Sequence, residues 1–351
     1  MVRSVSLAFA CVASVFALTA HAADVHVRVD HSATPAAPGQ ENRTVFPTIQ
    51  NALDHHPLAS DGGRVFIEIA PGVYHERIIV TQNHPNVTLV GLGSKPEDTV
   101  ITNSLNAKTA GGTFFTETVE LNGTGFEADN VTFENAAGNT GQAVAVANRS
   151  DRSVFKHCRI LGHQDTLFAD YGRQYYVDTY IEGGVDYIFG NASAVFERDE
   201  LHSNGPGFVT AQSRTSPQQN TGYVILDSRV TASLASSAPL PADAAGASST
   251  TSAHGAVGLG RPWRPFARVI YIRTQMGPEV APGGWNNWGN SANESTAYFA
   301  EFGSTGPGAS VASRVDWSHQ LTAEQMKPYL PQTFLGGPDH WDAVAEAAKL
   351  P

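Results

Sequence analysis

Ser153-Val-Phe-Lys-His-Cys-Arg-Ile-Leu-Gly162 is followed, after a short intervening stretch, by Tyr175-Tyr-Val-Asp-Thr-Tyr-Ile-Glu-Gly183. Both are short runs of β-forming residues in which apolar and polar side chains alternate, the period of a strand. Upstream, Asn86-Val-Thr-Leu-Val-Gly91 resembles Asn130-Val-Thr-Phe-Glu-Asn135, and downstream Tyr223-Val-Ile-Leu-Asp-Ser-Arg-Val230 continues the series. Taking Phe133, Ile160 and Ile181 as equivalent positions gives steps of 27 and 21 residues. Recurrence in the twenties, with Gly, Asn and Asp at the turns, predicts a parallel solenoid rather than a β-sandwich, the alternative reading of the same strands. One coil cannot bury its own inward face, so stacked coils make the core.

The ends read differently. Phe46-Pro-Thr-Ile-Gln-Asn-Ala-Leu53 has apolar residues at helical spacing and predicts a short helix over the open end of the core, with Thr44 as N-cap. Tyr74 and Glu76 follow the turn Pro71-Gly72 and are expected to begin the first strand pair. Residues 233–254 are rich in Ala, Ser, Thr and Pro and predict a flexible surface insertion beside Leu259-Gly-Arg-Pro-Trp263. Beyond Trp285, Trp288 and Gly306-Pro-Gly308, a helical tail around 321–329 is expected to pack outside the coils or close the last one.

Arg3, the apolar run from Leu7 to Leu18 and Ala20-His-Ala22 form the pattern of a secretory signal, so residues 1–22 are expected to be cleaved. Residues 23–351 then form a single domain that is exported. No second stretch reads as a membrane span. Cys11 leaves with the signal, and the remaining thiol, Cys158, cannot form an internal disulfide. It reads as a buried small hydrophobe with no base beside it. The formal charge is −11, and one unit more negative without Arg3. Such a surface gives no sign of nucleic-acid binding and repels an extended polyanion.

Five polar motifs are set into this apolar body: Gly72-Val-Tyr-His-Glu76, Gln142-Ala-Val-Ala145, Gln164-Asp-Thr-Leu167, Val185-Asp-Tyr-Ile-Phe-Gly190 and Leu259-Gly-Arg-Pro-Trp263. Asp165 and Asp186 are 21 residues apart, about one coil. Residues one coil apart stack on neighbouring strands about 4.8 Å apart. Two close carboxylates push their pKa values apart, leaving an acid and an ionised nucleophile. Gln142 precedes a run of small apolar residues suited to a strand beneath a flat cleft. No His-x-x-x-His or Cys/His cluster is present and no phosphate-binding loop, so neither a metal nor another cofactor is predicted.

In their order, these motifs resemble those of the pectin methylesterases (pectinesterases), and the resemblance runs from about Val45 to Trp317. It implies an all-β, right-handed parallel β-helix with a short N-terminal capping helix and a C-terminal helical tail. It also implies hydrolysis of methyl esters of polygalacturonate to pectate and methanol. In that reading Asp186 is the nucleophile, Asp165 the acid and then the base, and Gln142 with Gln164 the donors to the oxyanion. Arg261 pairs with Asp186, and Trp263 stacks on the sugar. Phe168 and Phe189 line the methyl pocket, and Thr113 matches a substrate-contacting position. Pectin is the implied partner, and nothing in the sequence demands more than a monomer. Phe168 stands where Tyr is common, and Tyr187 where Phe is; both keep a ring and bear on subsite preference more than on chemistry. The residues alone also leave open a non-catalytic polysaccharide binder, a polysaccharide lyase and an acyl-thioester hydrolase. Asp165, Asp186, Gln142 and Arg261 together argue against a binder; no basic proton acceptor with calcium ligands supports a lyase; Trp263 favours a sugar.

Overall fold

The two stretches that carry the repeat fold as strand, corner, strand. Ser153–Lys156 and Arg159–Leu161 flank His157, and Arg173–Val177 and Tyr180–Gly183 flank Asp178. Both corner residues lie in the left-handed backbone region, with φ of 49° and 52°. Arg198, Asp227 and Arg273 repeat the corner in later coils, and Asn130 in an earlier one. The turn costs the residue after it its place in the strand ladder, yet a buried N–H must find an acceptor. Cys158 N donates to Thr179 Oγ1 (3.4 Å), Thr179 N to Asp199 Oδ1 (2.7 Å) and Asp199 N to Ser228 Oγ (3.0 Å). A polar column in an otherwise apolar interior is therefore a consequence of how each coil turns.

The computed structural model describes residues 23–34, 44–57, 59–60, 62–234 and 255–351. The expected signal segment, and the expected insertion apart from Ser233 and Leu234, lie outside the described residues. Each coil passes through three parallel sheets in turn, as Arg173–Val177, Tyr180–Gly183 and Ile188–Gly190 do. Among the described residues the first sheet has twelve strands, the second eight and the third seven. Phe133 pairs with Ile160, and Ile160 with Ile181, the register that the repeat predicts. The chain is a right-handed parallel β-helix, the winding sense that parallel crossovers adopt. The likeness between the Asn86 and Asn130 segments has another origin. Val87–Gly91 lies in the first sheet and Thr132–Asn135 in the second, and what they share is a left-handed asparagine before the strand.

Inside, side chains in register stack. Phe155, Tyr176 and Phe196 follow one another at centroid distances of 4.9 and 4.8 Å with nearly parallel rings. Each such pair contributes about 0.5–1.5 kcal/mol beyond area burial. Cys158 is buried in this core, and burial pushes its thiol pKa up, away from nucleophilic use.

At the N-terminal end, the helix Ile49–His55 buries Ile49, Ala52 and Leu53. Its N-cap is Thr48, whose Oγ1 accepts from Asn51 N at 3.2 Å, and not Thr44. Thr44 instead precedes the strand Val45–Phe46, which pairs with Val25–Val29. The strands Val25–Val29 and Val65–Ile69 also mean that the first coil begins before the Pro71-Gly72 turn. At the other end, Ala323–Met326 lies within the expected helical tail, and Pro331–Phe334 and Ala343–Ala347 extend it past Tyr329. The tail lies on the outer face of the first sheet, with Met326, Leu335 and Trp341 packed against Tyr175, Val224 and Ile270. Lys156 Nζ holds the carbonyls of Leu350 and Pro351 at 2.8 and 2.9 Å.

Candidate active site

Gln142, Gln164 and Val185 pair in parallel across three successive coils, just where the chain leaves the second sheet for the third. Asp165 and Asp186 each follow one member of that row, so they occupy equivalent positions on adjacent coils, about one strand spacing of 4.8 Å apart. Asp165 N donates to Val185 O at 3.1 Å. Both aspartates are left-handed, with φ of 62° and 49°, a conformation that Asp tolerates better than most residues. The Gln142 coil carries one residue more than its neighbour before register resumes at Val146 opposite Leu167. Ala145 N and Val146 N both donate to Thr166 O, at 2.8 and 3.3 Å. This is a β-bulge, one extra residue that locally bends and twists the chain just after Gln142.

Arg261 comes from the end of the strand Val257–Gly260, far away in sequence. Gly260 is required there: a Cβ would meet Thr210 Oγ1 at 2.2 Å and Trp285 at 3.2 Å. The guanidinium grips Asp186 with two bonds, Nε to Oδ1 at 2.9 Å and Nη2 to Oδ2 at 2.7 Å. It is sandwiched between the rings of Phe208 at 4.8 Å and Trp288 at 3.9 Å. A planar bidentate pair in a dry setting is among the strongest charge-assisted contacts and favours ionised Asp186. Asp165 has no such partner. Burial, and next the charge of Asp186, hold its carboxyl well above the usual carboxylate range, with Arg261 opposing them. The arrangement thus sets two like side chains in different electrostatic surroundings, one paired with a guanidinium and one buried without it.

The third sheet's outer face forms the floor. Glu120, Ala147, Phe168, Phe189 and Ala211 follow one another in register. Phe168 and Phe189 stack at 4.6 Å, Trp263 lies 5.8 Å beyond Phe189, and Phe114 lies 5.0 Å from Phe168. Trp263 N is fixed by Gln212 O at 3.1 Å, and its side chain is half-buried. Thr113 opens the short turn Thr113–Phe115 at the Phe168 end of this aromatic row.

The predicted residues therefore gather on one face. Asp165, Asp186, Gln142, Gln164 and Arg261 meet at the corner between the second and third sheets, with Phe168, Phe189 and Trp263 along the adjoining floor. Thr113 reaches it only through the turn that carries Phe114. Glu76 is not among them: its carboxylate accepts from Ile49 N and Gln50 N, both at 3.0 Å, and fastens the N-terminal helix. Sequence reasoning missed Phe208, Phe114 and the role of Trp288; the pair Trp285-Asn-Asn-Trp288 was the available signal. Trp285 itself is buried and stacks on Phe299 at 4.5 Å. Among the described residues no group of His, Cys, Asp and Glu is arranged to hold a metal ion, and no helix is long and apolar enough to cross a membrane.

A parallel β-helix with a polar cleft across one sheet defines the class, and comparison with known proteins narrows it. The family model for pectinesterase matches residues 36–338. Pectinesterase 31 of Arabidopsis thaliana is 38% identical over 307 residues, covering 84% of this chain and 90% of that one. The pectin methylesterase structure from carrot is 32% identical with a TM-score of 0.77, covering 91% of this chain and 98% of that one. A pectin methylesterase solved in complex with a hexasaccharide is 26% identical with a TM-score of 0.70, covering 92% and 99%. The chain belongs to the pectinesterase family and is a carboxylic ester hydrolase.

Proposed function

We propose that this enzyme hydrolyses the methyl esters of polygalacturonate by a two-aspartate mechanism. The observation that carries the reading is the asymmetry of the pair: Asp186 gripped by buried Arg261, Asp165 left without a cation of its own, its carboxyl held well above the usual range by burial. The Asp186 carboxylate attacks the C6 carbonyl carbon of an esterified unit. The carbonyl oxygen takes the electron pair, and the side-chain amides of Gln142 and Gln164 donate hydrogen bonds to it. The C–O bond to methoxide breaks as Asp165 delivers its proton, releasing methanol and leaving an anhydride on Asp186. Asp165, now ionised, takes a proton from water as the water oxygen attacks the same carbon. Asp186 leaves as carboxylate, and the product is a free uronate. The apolar floor of Phe168 and Phe189 accommodates the methyl group, and Trp263 offers its face to a sugar ring.

The proposal extends to the setting. Residues 1–22 act as a cleaved signal, 23–351 form the exported domain, and the enzyme acts as a monomer on pectin outside the cell. Methanol release from densely methyl-esterified pectin, with chelator and no added metal, tests the chemistry in wild type and in Asp186→Ala. Release by the wild type that vanishes in a folded variant is expected. Release that survives the substitution would remove Asp186 as nucleophile; no release by the wild type, with pectin still bound, would make the cleft a binding site only.

A further inference from the structure

The outer row of the third sheet does not end at Phe168. Across Ala147 it continues to Glu120, so the floor that is aromatic at one end is charged at the other. Arg149 bridges the two: its guanidinium lies 5.3 Å from the centre of the Phe168 ring. Carboxylates hold it on several sides. Arg149 Nη1 meets Glu120 at 3.2 Å, Nε meets Asp170 at 3.4 Å and Nη2 meets buried Glu117 at 3.9 Å. Arg77 adds a second cation, 3.3 Å from Glu117 and 4.0 Å from Glu120. Three carboxylates thus outnumber two guanidinia around a cation that, alone, would attract a uronate. Glu120, Arg149 and Asp170 are each partly open to solvent, so the group is presented to whatever lies along the floor.

We infer that Arg149, locked by Glu120 and Asp170, is a specificity-determining residue that makes the Phe168 end of the cleft take an uncharged, esterified sugar unit and reject a free uronate. This rests on the pectinesterase reading of the same cleft. The guanidinium stays over the Phe168 ring, while its Nη1 and Nε atoms face the carboxylates of Glu120 and Asp170. A uronate arriving there meets three carboxylates set against two guanidinia, so its own charge is opposed. An ester brings no charge and adds apolar surface.

The test measures kcat and KM for methanol release from densely and from sparsely methyl-esterified pectin, with wild type, Glu120→Gln and Asp170→Asn. Each variant removes one carboxylate from the lock, so failure of one to fold leaves the other to decide. One charge at this range in a wet cleft corresponds to about a threefold change in binding. The ratio of kcat/KM on sparse over dense pectin is therefore expected to rise about threefold, through KM, and the rise is expected to shrink in high salt. A ratio equal to that of wild type in a folded variant, or an equal change on both substrates, overturns the inference. A wild type inactive on both pectins would instead overturn the function reading on which it depends.

Discussion

Corners at Asp178, Asp186 and Asp227 each place an aspartate in the left-handed backbone region and grip it with an arginine from a later coil, and the first two differ most in their surroundings. Between the first and second sheets, Asp178 meets Arg198 with two bonds of 2.9 Å. Between the second and third, Asp186 meets Arg261 with bonds of 2.9 and 2.7 Å. The backbone is the same and the pair geometry nearly so. The environment differs: side-chain exposure is 36% and 50% for the first pair, and 8% and 5% for the second. Water screens the first pair and leaves it a surface decoration. Phe208, Trp288 and the neighbouring strands dry the second, so that its charge acts at full strength on Asp165. Burial, not residue type, sets the two pairs apart.

One substitution made at both corners measures that difference. Asp186→Asn keeps the left-handed tolerance and the shape but removes the charge of the proposed nucleophile, and turnover is expected to fall by about 10⁴-fold or more. Steady-state methanol release checks it; a loss below about tenfold would mean that Asp186 only assists. Arg261→Met comes next. It leaves a buried carboxylate without its partner, a change that costs about 3–5 kcal/mol. Urea denaturation should show that loss, together with a fall in kcat. An unchanged midpoint would indicate that the pair is more hydrated than its 5% and 8% exposure implies.

The sequence revealed a good deal of this and concealed a definite part. The coil repeat was readable because Phe133, Ile160 and Ile181 carry the inward face at regular steps, and the structure pairs them in register. The one-coil spacing of Asp165 and Asp186 was readable for the same reason. The sandwich around Arg261 was not. Phe208 reaches it by coil stacking and Trp288 by a return loop, and neither spacing follows from a periodic pattern. Glu76 sat in a motif that looked chemical, yet two backbone N–H groups at a helix start claim it. A carboxylate in the sequence does not declare whether it will meet a substrate or an unsatisfied helix end. The lock on Arg149 was hidden too, since its partners come from the coils on either side of its own.

The inner side of the first corner gives a third point of comparison. Asp199 is buried and, unlike Asp186, has no arginine bonded to it; burial is the main reason its carboxyl lies well above the usual range. Its folded pKa exceeds its unfolded one, so the folded state holds the proton that the unfolded state has already lost. Stability from this group is present below about pH 4 and declines as pH rises toward the raised value. Asp199→Asn keeps an oxygen for Thr179 N and carries no charge at any pH. Against wild type, the variant is expected to gain up to about 1.4 kcal/mol per pH unit above pH 4, read from urea midpoints at several pH values. Parallel pH profiles for the two proteins would show that the side chain is ionised and solvated in the fold.

The smallest effect is the most demanding check of the opening contrast. Asp178→Asn repeats the Asp186→Asn change at a corner of matching backbone, so conformational strain cancels between the two. It removes an exposed pair whose cation also meets Glu197 at 2.8 Å. Exposed pairs contribute about 0.2–1 kcal/mol, and salt reduces that further. The expected outcome is a stability loss under about 1 kcal/mol at low salt, less at high salt, with methanol release equal to wild type. A loss of several kcal/mol would mean that this pair bears load despite its exposure. The distinction between the two corners would then lie in their partners and not in the water around them.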